Sequence, residues 1–292
     1  ADGVLQMVTG TDIVGHPIIE GTRMTGFFSK RVLGVYSLKL FFFGFMAVYL
    51  TVPKTIKNIT LMTIGIVLFD VFLLFTGERI IFLLGVIFGL MWGIVVFFTF
   101  QPLRKWLYIG SVGVLLSFLF LISLNHALLV KRVIPFIDAV KNFSATTYGD
   151  IFHSAFELWQ LSPLLGVGMR MYSEVCVAKL GYTENEVLFE QTAGLCVRHP
   201  HNIYLEILAQ NGIVGLLLFV LTLYCIFRVV SAKRIWQQDS LLAVILTGSV
   251  VVTFWPLATS MSIFANNYAG AVWLTIAWAI ARAQHIPAKI IN

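Results

Sequence analysis

Apolar residues run along this chain in long blocks. Stretches of about 17 to 22 residues, almost free of charge, lie near 35–53, 59–76, 80–100, 107–124, 213–230, 241–257 and 262–281. A helix of about 20 residues crosses the ~30 Å hydrocarbon core of a bilayer and satisfies its own backbone hydrogen bonds there. The pattern therefore predicts about seven transmembrane helices. Between the fourth and fifth blocks, the 125–212 region is too long for a plain connector and is expected to hold short helices of its own. One of these, IFHSAFELWQL at 151–161, has helix-like apolar spacing and ends at a turn marked by Ser162, Pro163, Gly166 and Gly168. It is expected to lie on the membrane surface. The predicted fold is all-α, a polytopic transmembrane helical bundle with a large external loop of short helices. Its expected parts are 1–124 (an external segment and four spans), 125–212 (the loop) and 213–292 (three spans and a tail).

Composition agrees with a lipid environment. The chain is 59% hydrophobic and 12% charged, with a mean hydropathy of +0.89, which excludes a water-soluble domain of this length. The net charge of +6 does not point to nucleic acid, because the basic residues are dispersed in short linkers and form no stripe. Lys54 and Lys57, Arg104 and Lys105, Arg228, Lys233 and Arg234, and Arg282 and Lys289 all fall on one side if the helices alternate. By the positive-inside rule that side is the cytoplasm. Residues 1–34, the Thr76–Arg79 turn, 125–212 and 258–261 then face outward. The first thirty-odd residues are neither a signal peptide nor a span, so further helices upstream are expected.

Candidate chemistry collects on the external side. In RHPHNIYLEILAQNGIVGL, at 198–216, Asn202, Glu206 and Gln210 recur at every fourth position and share one helix face. Asn211 and Gly212 should break this short helix before the apolar run begins at Ile213. His201 then sits at a helix N-terminus whose free N–H groups favour an anion, and a neutral imidazole there can take a proton from a hydroxyl. An interfacial histidine beside an Asn cap is the plainer alternative. Arg79 stands between two spans and fits either a bidentate phosphate binder or a side chain snorkelling to headgroups. Glu78 fits an orienting partner for Arg79, a proton-transfer group or a solvated salt bridge. Arg23, Arg170 and Arg198 are single external cations that would together make a positive pocket. Lys39 and Asp70 lie inside spans, where an ion pair between neighbouring helices or a proton relay would relieve the cost of an isolated charge. Cys176 and Cys196 share the external compartment as either a disulfide, worth about 3 kcal/mol by chain entropy, or two free thiols. No metal is expected: Asp150, Glu174, Glu184 and Glu186 are spread out, and no Cys or His grouping has ligand spacing.

His201-Asn202 followed by Gly212 and Gly215 resembles the His-Asn signature of the O-antigen ligase and polymerase superfamily. RMTGFFSKRVLGVY at 23–36 resembles that family's Arg-x-x-Gly-x-Phe stretch, TGERIIF its Gly-Glu-Arg turn, and SPLLGVGMRMY its Pro-x-x-Gly-x-Gly stretch, all in the family's order. The resemblance implies a GT-C-like membrane glycosyltransferase without cofactor or nucleotide sugar. Such an enzyme sits in the bacterial inner membrane and takes a glycan from undecaprenyl pyrophosphate on the periplasmic side. Its acceptor is lipid A core for a ligase or a growing glycan chain for a polymerase. By the same resemblance His201 is the base for the acceptor hydroxyl and Arg79 the pyrophosphate binder, with Arg170, Arg198, Arg23, Asn202 and Glu78 in substrate binding. Tyr148 and Asp150 stand where the family often carries an Arg, so a second arginine's role falls to Arg170 or Arg198 or is absent. A transporter or flippase of lipid-linked oligosaccharide is the alternative. It would place polar groups near the bilayer midplane, whereas this chain concentrates them outside.

Overall fold

The structure, a computed structural model, describes residues 2–17, 24–26, 28, 32–110, 138, 141–180, 196–258 and 260–286. Among them the regular elements are helices, with one isolated bridge between Thr11 and Pro17. The fold is all-α, as the apolar blocks predict. The principal helices are α1 (Asp2–Thr9), α2 (Leu33–Thr51), α3 (Ile56–Thr76), α4 (Arg79–Thr99), α5 (Thr147–Leu161), α6 (Tyr172–Leu180), α7 (Ile203–Val230), α8 (Lys233–Gln238), α9 (Ser240–Thr253) and α10 (Asn266–Gln284). They fall into two compact units. The first holds Ala1–Leu103, Leu223–Ser260 and Ala265–Asn292, and the second Arg104–Thr222 and Met261–Phe264.

Four helical stretches among the described residues are long and apolar enough to cross a membrane: Leu33–Thr51, Ile56–Thr76, Arg79–Thr99 and Ile203–Gln238. The expected count of seven is not reached among them. Most of the 107–124 block lies outside the described residues. The block near 241–257 forms only the 14 residues of α9, about 21 Å of helix. In the last block, α10 has the length but carries Asn266, Asn267, Thr275 and Arg282.

In the first unit α9 is the central post. Of its residues all but Ser240 and Val251 are buried, because α2, α4 and α10 pack around it. A helix apolar on every side needs such enclosure. Gly248 lets the ring of Phe88 lie against the backbone; a Cβ there would stand 2.7 Å from Phe88 Cδ2. Phe88 also meets Phe42 edge-on, with centroids 4.8 Å apart, while Phe45 contacts Trp92 at 5.2 Å and Phe41 stacks on Phe69 at 4.2 Å. The Trp92 indole donates to Thr63 Oγ1 across α4 and α3 (3.0 Å).

The expected ion pair between Lys39 and Asp70 does not form. The buried Lys39 ammonium makes long contacts with the carbonyls of Val252 (3.5 Å) and Thr253 (3.4 Å), at the negative end of α9. Asp70 turns toward α4, where Cβ atoms on Gly85 and Gly89 would lie 2.4 and 3.2 Å from its carboxylate oxygens. Basic linkers do gather at one end of this unit: Lys54 pairs with Asp239, and Arg234 Nη2 donates to Ala283 O (3.2 Å).

The second unit is built from α5, α6 and the first part of α7. Thr146 caps α5 by accepting from Gly149 N (3.1 Å). Ala155 and Leu158 of α5, Tyr172 and Cys176 of α6, Cys196 and Ala209 form its core. Cys176 and Cys196 are joined in a disulfide across that core.

Gly248→Val should overpack the contact with Phe88 and cost about 1–3 kcal/mol. Thermal unfolding in detergent should show the loss, while Gly93→Ala, with nothing within 4 Å of the added Cβ, shows none.

Candidate active site

The site is organised by a break in α7. At Gly212 the backbone leaves the helical region (φ 65°, ψ −169°), so the bonds from Ile213 N to Ala209 O and from Val214 N to Gln210 O cannot form. The Ser162–Gly168 turn supplies the replacements. Ile213 N donates to Pro163 O (2.9 Å) and Val214 N to Leu164 O (3.3 Å), while Ala209 O accepts from Val167 N (2.9 Å) and Gln210 O from Gly168 N (2.9 Å). Backbone meets backbone here: a Cβ on Gly166 would lie 2.3 Å from Gln210 C, and one on Gly212 would lie 2.2 Å from Leu164 O. The apolar span begins only after this break, at Ile213.

Ahead of the break, the polar stripe faces inward. Asn202, Glu206 and Gln210 are 5%, 1% and 2% exposed. The Asn202 side chain caps the helix, its Oδ1 accepting from Tyr204 N (3.0 Å) and Leu205 N (3.1 Å). This corrects the expectation of free N–H groups for an anion, because the cap occupies two of them. Glu206 ties down the Met261–Phe264 segment by accepting from Ser262 Oγ and from Ile263 N (2.9 Å), and it also accepts from Gln210 Nε2 (3.4 Å). Burial raises its carboxyl above the ordinary range, and those three donors offset only part of that rise. Burial also raises the phenol of Tyr172, and the Glu206 charge adds to that shift.

His201 precedes the cap in a left-handed backbone conformation, φ 52°. Its ring lies 4.3 Å from that of His199, centroid to centroid, and meets Tyr148 edge-on at 6.1 Å. Arg170 is the other non-glycine residue with positive φ (63°) among the described residues, and its side chain is exposed. Its backbone N–H donates to Oε1 of Gln210. Each such residue costs about 1–2 kcal/mol and persists only where its surroundings over-determine it. Both strained residues are therefore held by one helical segment, His201 directly before its cap and Arg170 at Gln210. Arg198 is exposed two residues after the disulfide-bonded Cys196.

In the first unit, Arg79 is exposed at the first position of α4, after a turn in which Gly77 is left-handed (φ 73°). A cation at that end opposes the helix dipole, so helix stability does not account for it. Glu78 accepts from Gly34 N (2.8 Å) and thereby caps α2. Arg23, Glu184 and Glu186 lie outside the described residues.

A family profile described as O-antigen ligase matches residues 63–220, more than half of the chain. The chain belongs to the O-antigen ligase family. No curated protein matches it. As an O-antigen ligase family protein with several apolar helices, it is a multi-pass membrane protein. The matched interval holds Arg79, Arg170, Arg198, His201 and both bonded cysteines, while Ser262 and Ile263, which hold Glu206, lie beyond it. Sequence reasoning did not single out His199, and it named Tyr148 and Gln210 without their contacts to His201 and Arg170. Only the doubled histidine of RHPHN was a visible signal; the Tyr148 and Gln210 contacts span 53 and 40 residues.

Gly166→Ala and Gly212→Ala should each cost at least about 1–3 kcal/mol and open the turn. Faster proteolysis within 162–171 checks this. Reduction of the disulfide should cost about 3 kcal/mol in thermal unfolding.

Proposed function

We propose that this protein is a glycosyltransferase that moves a glycan from undecaprenyl pyrophosphate to an acceptor hydroxyl at the periplasmic face of the inner membrane. The acceptor is lipid A core if it acts as a ligase and a growing polysaccharide chain if it acts as a polymerase. His201 takes the proton of the acceptor hydroxyl, whose oxygen attacks the anomeric carbon of the donor sugar. The bond from that carbon to the pyrophosphate oxygen breaks, and undecaprenyl pyrophosphate leaves with the electron pair. Arg79 binds the donor's pyrophosphate, and Arg170 and Arg198 add positive charge for the anionic substrate. Charge grows on the leaving group as the bond breaks, so a cation that meets it there is expected to lower the barrier.

The observation that carries this reading is the shared strain of His201 and Arg170. A merely interfacial histidine needs no left-handed backbone and no ring contacts from His199 and Tyr148. Asn202 and Glu78 now read as positioning residues, since each commits side-chain oxygen to capping a helix. Family membership supports the reaction class.

His201→Ala should leave a folded, inserted protein whose transfer from a polyprenyl-pyrophosphate donor falls by about 10²–10⁴-fold. Undiminished transfer by that variant removes the base. Arg79→Lys keeps the charge but loses the fork, so donor use should fall about tenfold or more, whereas a snorkelling side chain tolerates the change. A reconstituted assay offering both lipid A core and a second lipid-linked repeat separates ligase from polymerase.

A further inference from the structure

At the end of the first unit where the basic linkers gather, a cavity of about 220 Å³ is lined by Gln238, Asp239, Leu242, Arg282, His285 and Ile286. It lies where α8 turns into α9 and α10 ends. We propose that this cavity binds a phosphate group, carried by an anionic lipid headgroup or arriving as free phosphate.

The one carboxylate in the lining does not oppose an anion. Asp239 Oδ1 accepts from the Tyr49 hydroxyl (2.5 Å) and from Leu242 N (3.1 Å), and Oδ2 pairs with Lys54. Its charge is thus neutralised by Lys54, leaving Arg282 in the wall and Arg234 nearby in excess. Arg234 is fixed by its bond to Ala283 O, next to Arg282 in sequence. The Nε atoms of both arginines are buried and lack a hydrogen-bond partner. A buried N–H without an acceptor is destabilising, and two at one helix end mark a place that needs one. Phosphate oxygens suit guanidinium groups, which offer donors in a fixed planar fork. Leu242 and Ile286 provide an apolar wall of the kind a lipid's glycerol region meets, and basic pockets between transmembrane helices recognise anionic headgroups. The cavity uses no residue of the proposed glycosyl-transfer chemistry.

The test uses the full chain purified in detergent and titrated separately with dioleoylphosphatidylglycerol, dioleoylglycerol and inorganic phosphate. Native mass spectrometry and thermal shift report binding. Phosphatidylglycerol should bind and raise the unfolding temperature, and dioleoylglycerol, which lacks phosphate, should not. Protection by inorganic phosphate alone identifies a free-phosphate site, and protection by the phospholipid alone a headgroup site. Arg282→Gln should weaken binding about tenfold. His285→Glu, at an exposed position, adds a negative charge to the wall and should abolish binding even if Arg282→Gln fails to fold. Equal protection by dioleoylglycerol and phosphatidylglycerol, or unchanged binding in His285→Glu, overturns the proposal.

Discussion

The exchange of backbone hydrogen bonds at the break in α7 is the constraint on which the second unit depends. Two intrahelical bonds are lost at Gly212, and four bonds to the Ser162–Gly168 turn replace them. In a membrane protein an orphaned N–H or C=O has little water to fall back on, so such a break is tolerated only where another segment satisfies it. The turn can do so only because neither Gly166 nor Gly212 has a Cβ. One steric requirement at two glycines thus fixes where α5 ends and where the chain enters α6.

The left-handed backbone of Arg170 is tied to this docking. With the turn clamped to Ala209 and Gln210, Gln210 is oriented to receive Arg170's backbone N–H, and Glu206 one turn earlier is oriented to hold Ser262 and Ile263. The buried face of the helix is therefore a positioning device, and the cations and imidazoles it positions stand at its margins. The disulfide adds to this from the other direction by tying α6 to the chain two residues before Arg198. A helix face of Asn, Glu and Gln would be a poor core if any of the three lacked partners, yet each has at least one.

Much of this was legible in the sequence. Apolar block length foretold α2, α3, α4 and the span after Gly212, and the Asn211-Gly212 pair marked the break because glycine alone adopts that backbone with such close neighbours. Helical periodicity showed that Asn202, Glu206 and Gln210 share a face. It did not show which way the face points, since that depends on Ser262 and Ile263, 56 and 57 residues away from Glu206. Lys39 and Asp70 illustrate the same limit: depth in a span can be counted from its ends, but rotation about the helix axis is set by packing. Lys39 found the carbonyl end of α9, and Asp70 the space left by two glycines of α4. Block length also does not distinguish a helix enclosed by protein from one enclosed by lipid, and α9 is enclosed by its neighbours.

The arginines of the first unit divide by the same electrostatics. Arg282 lies in the last turn of α10, and Arg234 bonds to a carbonyl of that turn, so both are favourably placed against the negative end of a helix. Structural usefulness accounts for their position though not for their unpartnered Nε atoms. Arg79 is the opposite case. It opens α4 at the positive end, behind a left-handed Gly77 and next to Glu78, which accepts from Gly34 N. The dipole that favours Arg282 at the end of α10 thus disfavours Arg79 at the start of α4.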